Sequence, residues 1–438
     1  MRLIDCLATT DALAAIFSDE SVLRAMLEFE GALARAAADA GAIPAAAARA
    51  ISDAVSQGGI DPAAIAAAAR AGATPAIPFV KDLRARVEAI DAPGAACVHL
   101  GATSQDVTDT ALVLLLKQAR SPIAADQQRL DRALRELSAR HAATVMLGRT
   151  LLQPATPITF GLKVAGWTSA IVRSWRRLDD AWERALVIQF GGAAGTLAAL
   201  GEKGPRIVAG TARELGLRSA PPWHTDRDRL GALMTACGLH VAALGKAARD
   251  ISLLMQAEVG EAAEPGGGSS TMPQKRNPSR CAVVLAAATR LPGLVASYLT
   301  AMVQDHERAL GGVQAEWPIV SAAVQATGAA VAALAAAVEG LEVDPERMRS
   351  NIDSTGGTVF AERAAMLLAP EIGRERAQQL VEESIARSRS DRVSFAVALR
   401  AAARTEPAIS RTLLDDLDVP ERYLGESEAI RIRLLNEE

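Results

Sequence analysis

The sequence predicts an all-α protein. Half of the 438 residues are hydrophobic and only 3% are aromatic, and alanine supplies much of the apolar share. Alanine favours helices, whereas β-branched and aromatic residues favour strands, so the composition favours helices over sheets. Five long stretches of helical character also fill the middle of the chain, and they predict an elongated five-helix bundle.

The elements group into three expected domains. Residues 1–108 contain shorter helices separated by Gly and Pro breakers and form the expected N-terminal domain. Residues 109–345 form the central bundle domain, and residues 346–438 form a small helical C-terminal domain. The five long helices are predicted at Asp109–Val145, Pro157–Leu186, Asp226–Val259, Ser279–Gln304 and Pro318–Leu341. Several of them are apolar on more than one face, which predicts burial inside the bundle.

Composition and charge exclude several classes of function. The net charge of −4 and pI near 5.9 argue against a basic nucleic-acid-binding protein. Four cysteines without a CxxC pair, and no signal-like segment at the N-terminus, favour a cytoplasmic protein. The uncharged stretch Ile319–Val338 is mostly small residues, so a buried bundle helix is the preferred interpretation over a membrane span.

The strongest local pattern is Gly266–Pro278, between two predicted long helices. Three glycines and two serines are also typical of a flexible linker. A mere linker does not explain Lys275, Arg276 and Asn277 between two prolines, whereas glycines allow successive N–H groups to converge on an oxyanion. The pattern therefore indicates either a connector or an anion-stabilising loop.

Two further segments contain polar residues before long helices. His99–Asp109 has the composition of a loop that begins the first bundle helix, with Thr108 or Asp109 as the expected cap. Gly148–Pro157 lies before the second long helix. The sequence contains neither HxH, HExxH nor a GxGxxG after a strand, so we expect no metal and no dinucleotide cofactor.

These three segments resemble the conserved regions of the fumarase/aspartase superfamily, so the resemblance implies a fumarase/aspartase-like fold. Gly268–Pro278 matches every fixed position of the superfamily motif GSSxMPxKxNP. The superfamily places this motif on a mobile loop. By resemblance, Ser269 is the catalytic base that removes a proton α to a carboxylate, with Ser270 as the alternative.

The resemblance also implies the remaining site residues. Lys275 is expected to stabilise an aci-carboxylate intermediate together with Asn277. The expected substrate-binding residues are His99, Thr103, Ser104, Arg149, Thr150, Gln153, Ser270, Met272, Asn277 and Arg308. Two of them keep a structural alternative, since a lone histidine such as His99 is often structural and Arg308 equally fits a helix-surface ion pair.

Leu151 departs from the superfamily pattern GRTHxQxAxP. Lyases that release an amine or water carry a histidine there, which protonates the leaving group, and such general acid catalysis contributes roughly 10²- to 10⁴-fold. A carboxylate, whose conjugate acid has a pKa of about 4, leaves as a stable anion without an acid. The chain resembles the branch of bacterial 3-carboxy-cis,cis-muconate cycloisomerases, which close a lactone by carboxylate addition.

That branch sets the functional expectations. They are an intramolecular lyase of the β-ketoadipate pathway that acts on a small anionic polycarboxylate without a cofactor, as a homotetramer whose active sites are shared between subunits. The alternatives are a 3-sulfomuconate cycloisomerase and a lyase that eliminates a group from a substituted succinate, of the adenylosuccinate or argininosuccinate type or with a weakly basic leaving group. No nucleic-acid or membrane partner is expected.

Overall fold

The computed structural model describes residues 3–268, 272 and 275–437, and it confirms a predominantly helical chain. Its helices are α1 (Asp11–Ile16), α2 (Asp19–Asp39), α3 (Ala45–Gln57), α4 (Pro62–Gly72), α5 (Ala76–Ile90), α6 (Ser104–Arg140), α7 (Phe160–Ala185), α8 (Gly204–Leu215), α9 (Asp228–Leu254), α10 (Ser279–Ala301), α11 (Gly312–Glu339), α12 (Pro345–Asp353), α13 (Ala361–Ile372), α14 (Arg374–Asp391), α15 (Phe395–Ala403) and α16 (Ser427–Asn436). Antiparallel strands β1 (Val145–Thr150) and β2 (Gln153–Thr159) form a hairpin, and β3 (Ala262–Ala263) pairs with β4 (Glu342–Val343).

The first of two compact units comprises Met1–Gln128, Ser174–Gly245 and Val283–Ala333. Within it α2 packs against α3 and α8. The fully buried Trp182 of α7 donates its indole N–H to the carbonyl oxygen of Leu116 in α6 (3.0 Å), which ties two long helices together. Apolar burial supplies the main stabilisation of such packing.

The second unit comprises Arg129–Arg173, Lys246–Ala282 and Leu334–Glu438. Its main apolar cluster joins Val145 and Leu147 of the hairpin to buried residues of the C-terminal helices, among them Phe395. The hairpin also packs against α12. The division into three domains at residues 108 and 345 stays a prediction.

The first long helix begins earlier than predicted. Helix α6 starts at Ser104, and Asp106 in its first turn accepts from the backbone N–H of Thr103 on Oδ2 (2.9 Å), which is one half of a capping box. The prediction that Thr108 or Asp109 caps this helix is wrong. The Thr108 hydroxyl donates to the carbonyl oxygen of Ser104, and Asp109 is fully buried in an ion pair.

The β1–β2 hairpin was not predicted. Helix α6 ends at Arg140 and α7 begins at Phe160, so neither reaches the predicted bounds Val145 and Pro157. The intervening residues are rich in β-branched side chains, which favour extended backbone. Smaller corrections apply to α9 and α10, which end before Val259 and Gln304, and to α11, which begins six residues before Pro318.

Three helices of the described chain, α9, α10 and α11, are long and apolar enough to cross a membrane by length and composition alone. In α9 and α11, 61% of the most apolar 18-residue window is buried within the structure. In α10 only 22% is buried, although its mean hydropathy is 1.5. Helix α10 therefore exposes a largely apolar surface.

Candidate active site

In the first unit, Arg308 contacts two of the predicted substrate-binding residues. Its Nη1 donates to Thr103 Oγ1 (2.6 Å) and its Nη2 donates to Ser104 Oγ (2.9 Å). Each hydroxyl oxygen accepts from the guanidinium, so each hydroxyl proton stays available for another acceptor. Arg308 is exposed, and the first residues of α6 add backbone N–H groups and the positive end of the helix dipole. We name Thr103, Ser104 and Arg308 the carboxylate clamp.

Asp106 is a buried organiser of this clamp that the sequence did not single out. Its carboxylate is fully buried and accepts from Thr103 N, Gln189 Nε2, Gly191 N, Gly192 N and His224, at 2.9 to 3.0 Å. The glycine turn after Gln189 is therefore tied to the start of α6. The pattern [ST]-x-x-[DE] of a capping box is the signal that indicates such a residue.

His99 lies five residues before Ser104, with a positive φ of 63° that is uncommon for a residue other than glycine. Its Nδ1 is 2.5 Å from Oε1 of Glu30, a buried glutamate that is 1% exposed. Burial lowers the pKa of His99, but the ion pair and hydrogen bond with Glu30 outweigh burial and leave this pKa above its ordinary value. His99 therefore stays cationic over a wider pH range, as suits a site for anions.

In the second unit, Arg149 is held by a buried glutamate. Its Nη1 and Nη2 donate to the two oxygens of Glu261 (2.9 and 2.7 Å), and Asn351 Nδ2 donates to Oε1 of the same carboxylate (2.8 Å). Glu261 is fully buried. This bidentate pair anchors strand β1, while the role of Arg149 as a substrate ligand stays a prediction.

The tip of the β1–β2 hairpin is exposed and contains Leu151, the position at which the superfamily pattern has a histidine. Thr150 pairs with Gln153, so Leu151 and Leu152 form a two-residue turn with φ values of 50° and 65°. Two positive φ values define a type I′ turn, which normally uses Asn and Gly. Leu151 and Leu152 are 96% and 76% exposed, and the side chains of Thr150 and Gln153 are also exposed.

The Gly266–Pro278 loop is closed at its base by two backbone segments in close contact. The Asn277 N–H donates to the carbonyl oxygen of Gly267 (2.7 Å), and a Cβ at Gly267 would lie 1.9 Å from Asn277 O. The carboxylate of Glu264 accepts from the backbone N–H of Arg280 and of Cys281, which caps α10 where the loop ends. Both ends of the loop are thus fixed by the fold.

The loop's own predicted residues are placed as follows. Ser269 and Ser270 lie outside the described residues. Met272 and Lys275 are exposed, and the backbone N–H of Lys275 donates to the carbonyl oxygen of Met272 (3.0 Å). Asn277 is half-buried. The catalytic roles of Ser269 and Lys275 stay predictions.

Comparisons with known proteins agree with this architecture. A family model described as "Lyase" matches residues 6–293. The 3-carboxy-cis,cis-muconate cycloisomerase of Pseudomonas aeruginosa is 46% identical over 100% of this chain and 96% of its own length. A nitrosuccinate lyase of Streptomyces davaonensis is 40% identical over 94% of this chain and 89% of its own.

A solved structure gives the same result for the fold. The crystal structure of the 3-carboxy-cis,cis-muconate lactonizing enzyme from Pseudomonas putida matches with a TM-score of 0.94 and 42% identity, over 100% of this chain and 99% of that one. The predicted fumarase/aspartase-like fold is thereby confirmed. The chain belongs to the lyase family of the fumarase/aspartase superfamily, together with the 3-carboxy-cis,cis-muconate cycloisomerases.

Proposed function

We propose that this chain is a cycloisomerase that closes 3-carboxy-cis,cis-muconate to 4-carboxymuconolactone. The observation that carries the proposal is Leu151, which occupies the position of the superfamily's acid histidine and projects from an exposed hairpin tip. Similarity to cycloisomerases over the full length of the chain supports the same reaction. The substrate is a small polycarboxylate, which suits the carboxylate clamp and the raised pKa of His99.

The proposed chemistry needs positioned cations more than it needs an acid. One substrate carboxylate oxygen adds to the conjugated double bond, and the displaced electron pair moves onto a second carboxylate as an aci-carboxylate. Lys275 and Asn277 stabilise this dianion, and the Ser269 hydroxyl gives its proton to the α-carbon. Preorganised donors aimed at developing charge are the largest contributors to catalysis of this kind. In the reverse direction Ser269 is the base.

We propose a cytoplasmic homotetramer with active sites shared between copies. The support is α10, of which only 22% of the most apolar 18-residue window is buried in this chain, so that Ala282, Ala286 and Gly293 are exposed and available for contact with another copy. Light scattering coupled to gel filtration tests the oligomer. Ala286→Arg is expected to release smaller species, whereas Ala401→Arg, at an exposed position of α15, is expected to stay tetrameric. A wild-type monomer with full activity contradicts this proposal.

A second candidate is a lyase that expels a weakly basic group from a substituted succinate. The similarity to a nitrosuccinate lyase supports this candidate, because nitrite, like a carboxylate, leaves as a stable anion without a proton donor. A 3-sulfomuconate cycloisomerase is the other alternative, since a sulfonate is also an anion. An adenylosuccinate- or argininosuccinate-type lyase fits less well because its leaving group is an amine.

A substrate panel separates these candidates. The proposal predicts that the ultraviolet absorbance of 3-carboxy-cis,cis-muconate falls, that NMR shows one lactone, and that the lactone formed in D₂O carries one deuterium at the α-carbon. The panel also contains 3-sulfomuconate, nitrosuccinate and adenylosuccinate. The proposal is contradicted if nitrosuccinate or 3-sulfomuconate is turned over faster than 3-carboxy-cis,cis-muconate. It is also contradicted if fumarate is released from adenylosuccinate faster than 3-carboxy-cis,cis-muconate is turned over.

A further inference from the structure

A fully buried charged cluster lies in the first unit, away from solvent. Arg227 donates from Nη1 and Nη2 to the two oxygens of Asp109 (2.7 and 2.9 Å) and from Nε and Nη2 to Oε2 of Glu316 (2.9 and 2.7 Å). All three side chains are 0% exposed, and the Arg227 guanidinium lies 4.6 Å from the centre of the Trp223 ring. Burying such charges costs solvation that the ion pairs rarely exceed, so added stability does not explain the cluster.

One side of the cluster holds the segment that contains Arg308. Oε1 of Glu316 accepts from Gln304 Nε2 (2.8 Å). Gln304 follows the end of α10, and the chain from Gln304 to Arg308 is not helical. Glu316 therefore fixes the start of this segment, while Arg308 at its other end contacts Thr103 and Ser104.

The other side of the cluster holds the start of α6. Gln105 Nε2 donates to Asp109 Oδ2 (3.1 Å) and to the carbonyl oxygen of His224 (2.7 Å). The ring of His224 is 2.9 Å from Asp106 Oδ1, and Asp106 accepts from the backbone of Thr103. These hydrogen bonds and ion pairs, with the short chain before Arg308, form a continuous network that starts at Arg308 and returns to Thr103 of the clamp. We name this network the buried polar circuit.

We propose that Glu316 is a positioning residue, which sets the place of Arg308 against Thr103 and Ser104 and so determines how tightly a substrate carboxylate is bound. The inference rests on the proposed function, because it assigns the clamp to that substrate. Both ends of the circuit lie in elements that contain clamp residues. A change at Glu316 therefore acts through Arg308 and not by contact with substrate.

A double-mutant cycle tests the inference on the full-length protein with 3-carboxy-cis,cis-muconate. Glu316→Gln is expected to raise KM about tenfold with kcat changed less than about threefold, as for lost uniform binding. Arg308→Ala is expected to raise KM further. The double variant is expected to match Arg308→Ala alone, since a residue that acts through another adds nothing once that other is removed.

Two further variants keep the test decisive. Gln304→Ala breaks only the link between Glu316 and the Arg308 segment, so it is expected to raise KM even if Glu316→Gln fails to fold. Glu183→Gln removes a surface partner of Arg120 in the same unit and is expected to match the wild type.

The outcomes distinguish the two proposals. A wild type that turns over the substrate, with KM unchanged in Gln304→Ala or with additive effects in the cycle, overturns the positioning role. If the wild type does not turn over the substrate, the proposed function fails instead. The same cycle is then measured on the Kd of propane-1,2,3-tricarboxylate, and absence of wild-type binding overturns the positioning role as well.

Discussion

Asp106→Asn is expected to damage both stability and activity. The carboxylate is 0% exposed and accepts from donors on three separate segments, including Thr103 N and Gly192 N on the same oxygen. In the Asn variant, an NH₂ group replaces one of the two carboxylate oxygens. This group faces N–H donors, and those donors lose their acceptor. Each buried donor left unsatisfied costs about 1–3 kcal/mol, and breaking one partner of a buried charged network costs about 3–5 kcal/mol in total.

The assay is urea unfolding followed by far-ultraviolet circular dichroism, together with steady-state kinetics. We expect a loss of about 3–5 kcal/mol in the free energy of unfolding. We also expect kcat/KM to fall about 100-fold, because a misplacement of 1 Å in a substrate-binding group costs that much. Asp179→Asn is the control, since Asp179 pairs with Arg120 at the surface and such pairs contribute about 1 kcal/mol or less. An Asp106→Asn variant with wild-type unfolding and kcat/KM within about twofold refutes the reasoning.

Two more predictions concern His99, five residues before Ser104 of the clamp, and Gly267 at the base of the Gly266–Pro278 loop. Because the pKa of His99 is raised in the folded protein, its stabilising charge is complete below the ordinary pKa and is lost as pH rises through the raised one. KM should therefore increase above that pH. Glu30→Gln should move the inflection in the profile of KM against pH to lower pH. An inflection that does not move contradicts its assignment to His99. Gly267→Ala should lower kcat/KM about 100-fold, because the new Cβ would lie 1.9 Å from Asn277 O at a φ of +73°. Gly166→Ala, at an exposed position of α7 where a Cβ meets nothing within 4 Å, is the control, and an equal loss in both variants contradicts the steric argument.

The sequence predicted the helical class, the existence of the five long helices and the segments that contain the candidate site. Apolar periodicity over more than twenty residues leaves little choice of element. It did not predict the hairpin, because Leu151 and Leu152 occupy a turn that usually carries Asn and Gly, and Pro154 and Pro157 suggest a loop. Local turn chemistry is a weaker signal than long periodicity.

The buried polar circuit was beyond prediction from one sequence. Arg227 lies 118 positions from Asp109 and 89 from Glu316, and no local pattern connects them. Asp106 is different, because its Thr-x-x-Asp spacing from Thr103 is visible in the sequence. Glu261 is as hard to predict as Arg227, because it lies 112 positions from its partner Arg149.

The most direct test of the proposed chemistry is a crystal structure with 4-carboxymuconolactone bound. The measured quantity is the distance from the lactone ring oxygen to the nearest imidazole nitrogen from any copy. We expect that no histidine lies within hydrogen-bond distance, about 3.2 Å, and that an apolar leucine stands at the position of the acid. A histidine that donates to this oxygen would contradict the claim that the leaving carboxylate needs no acid.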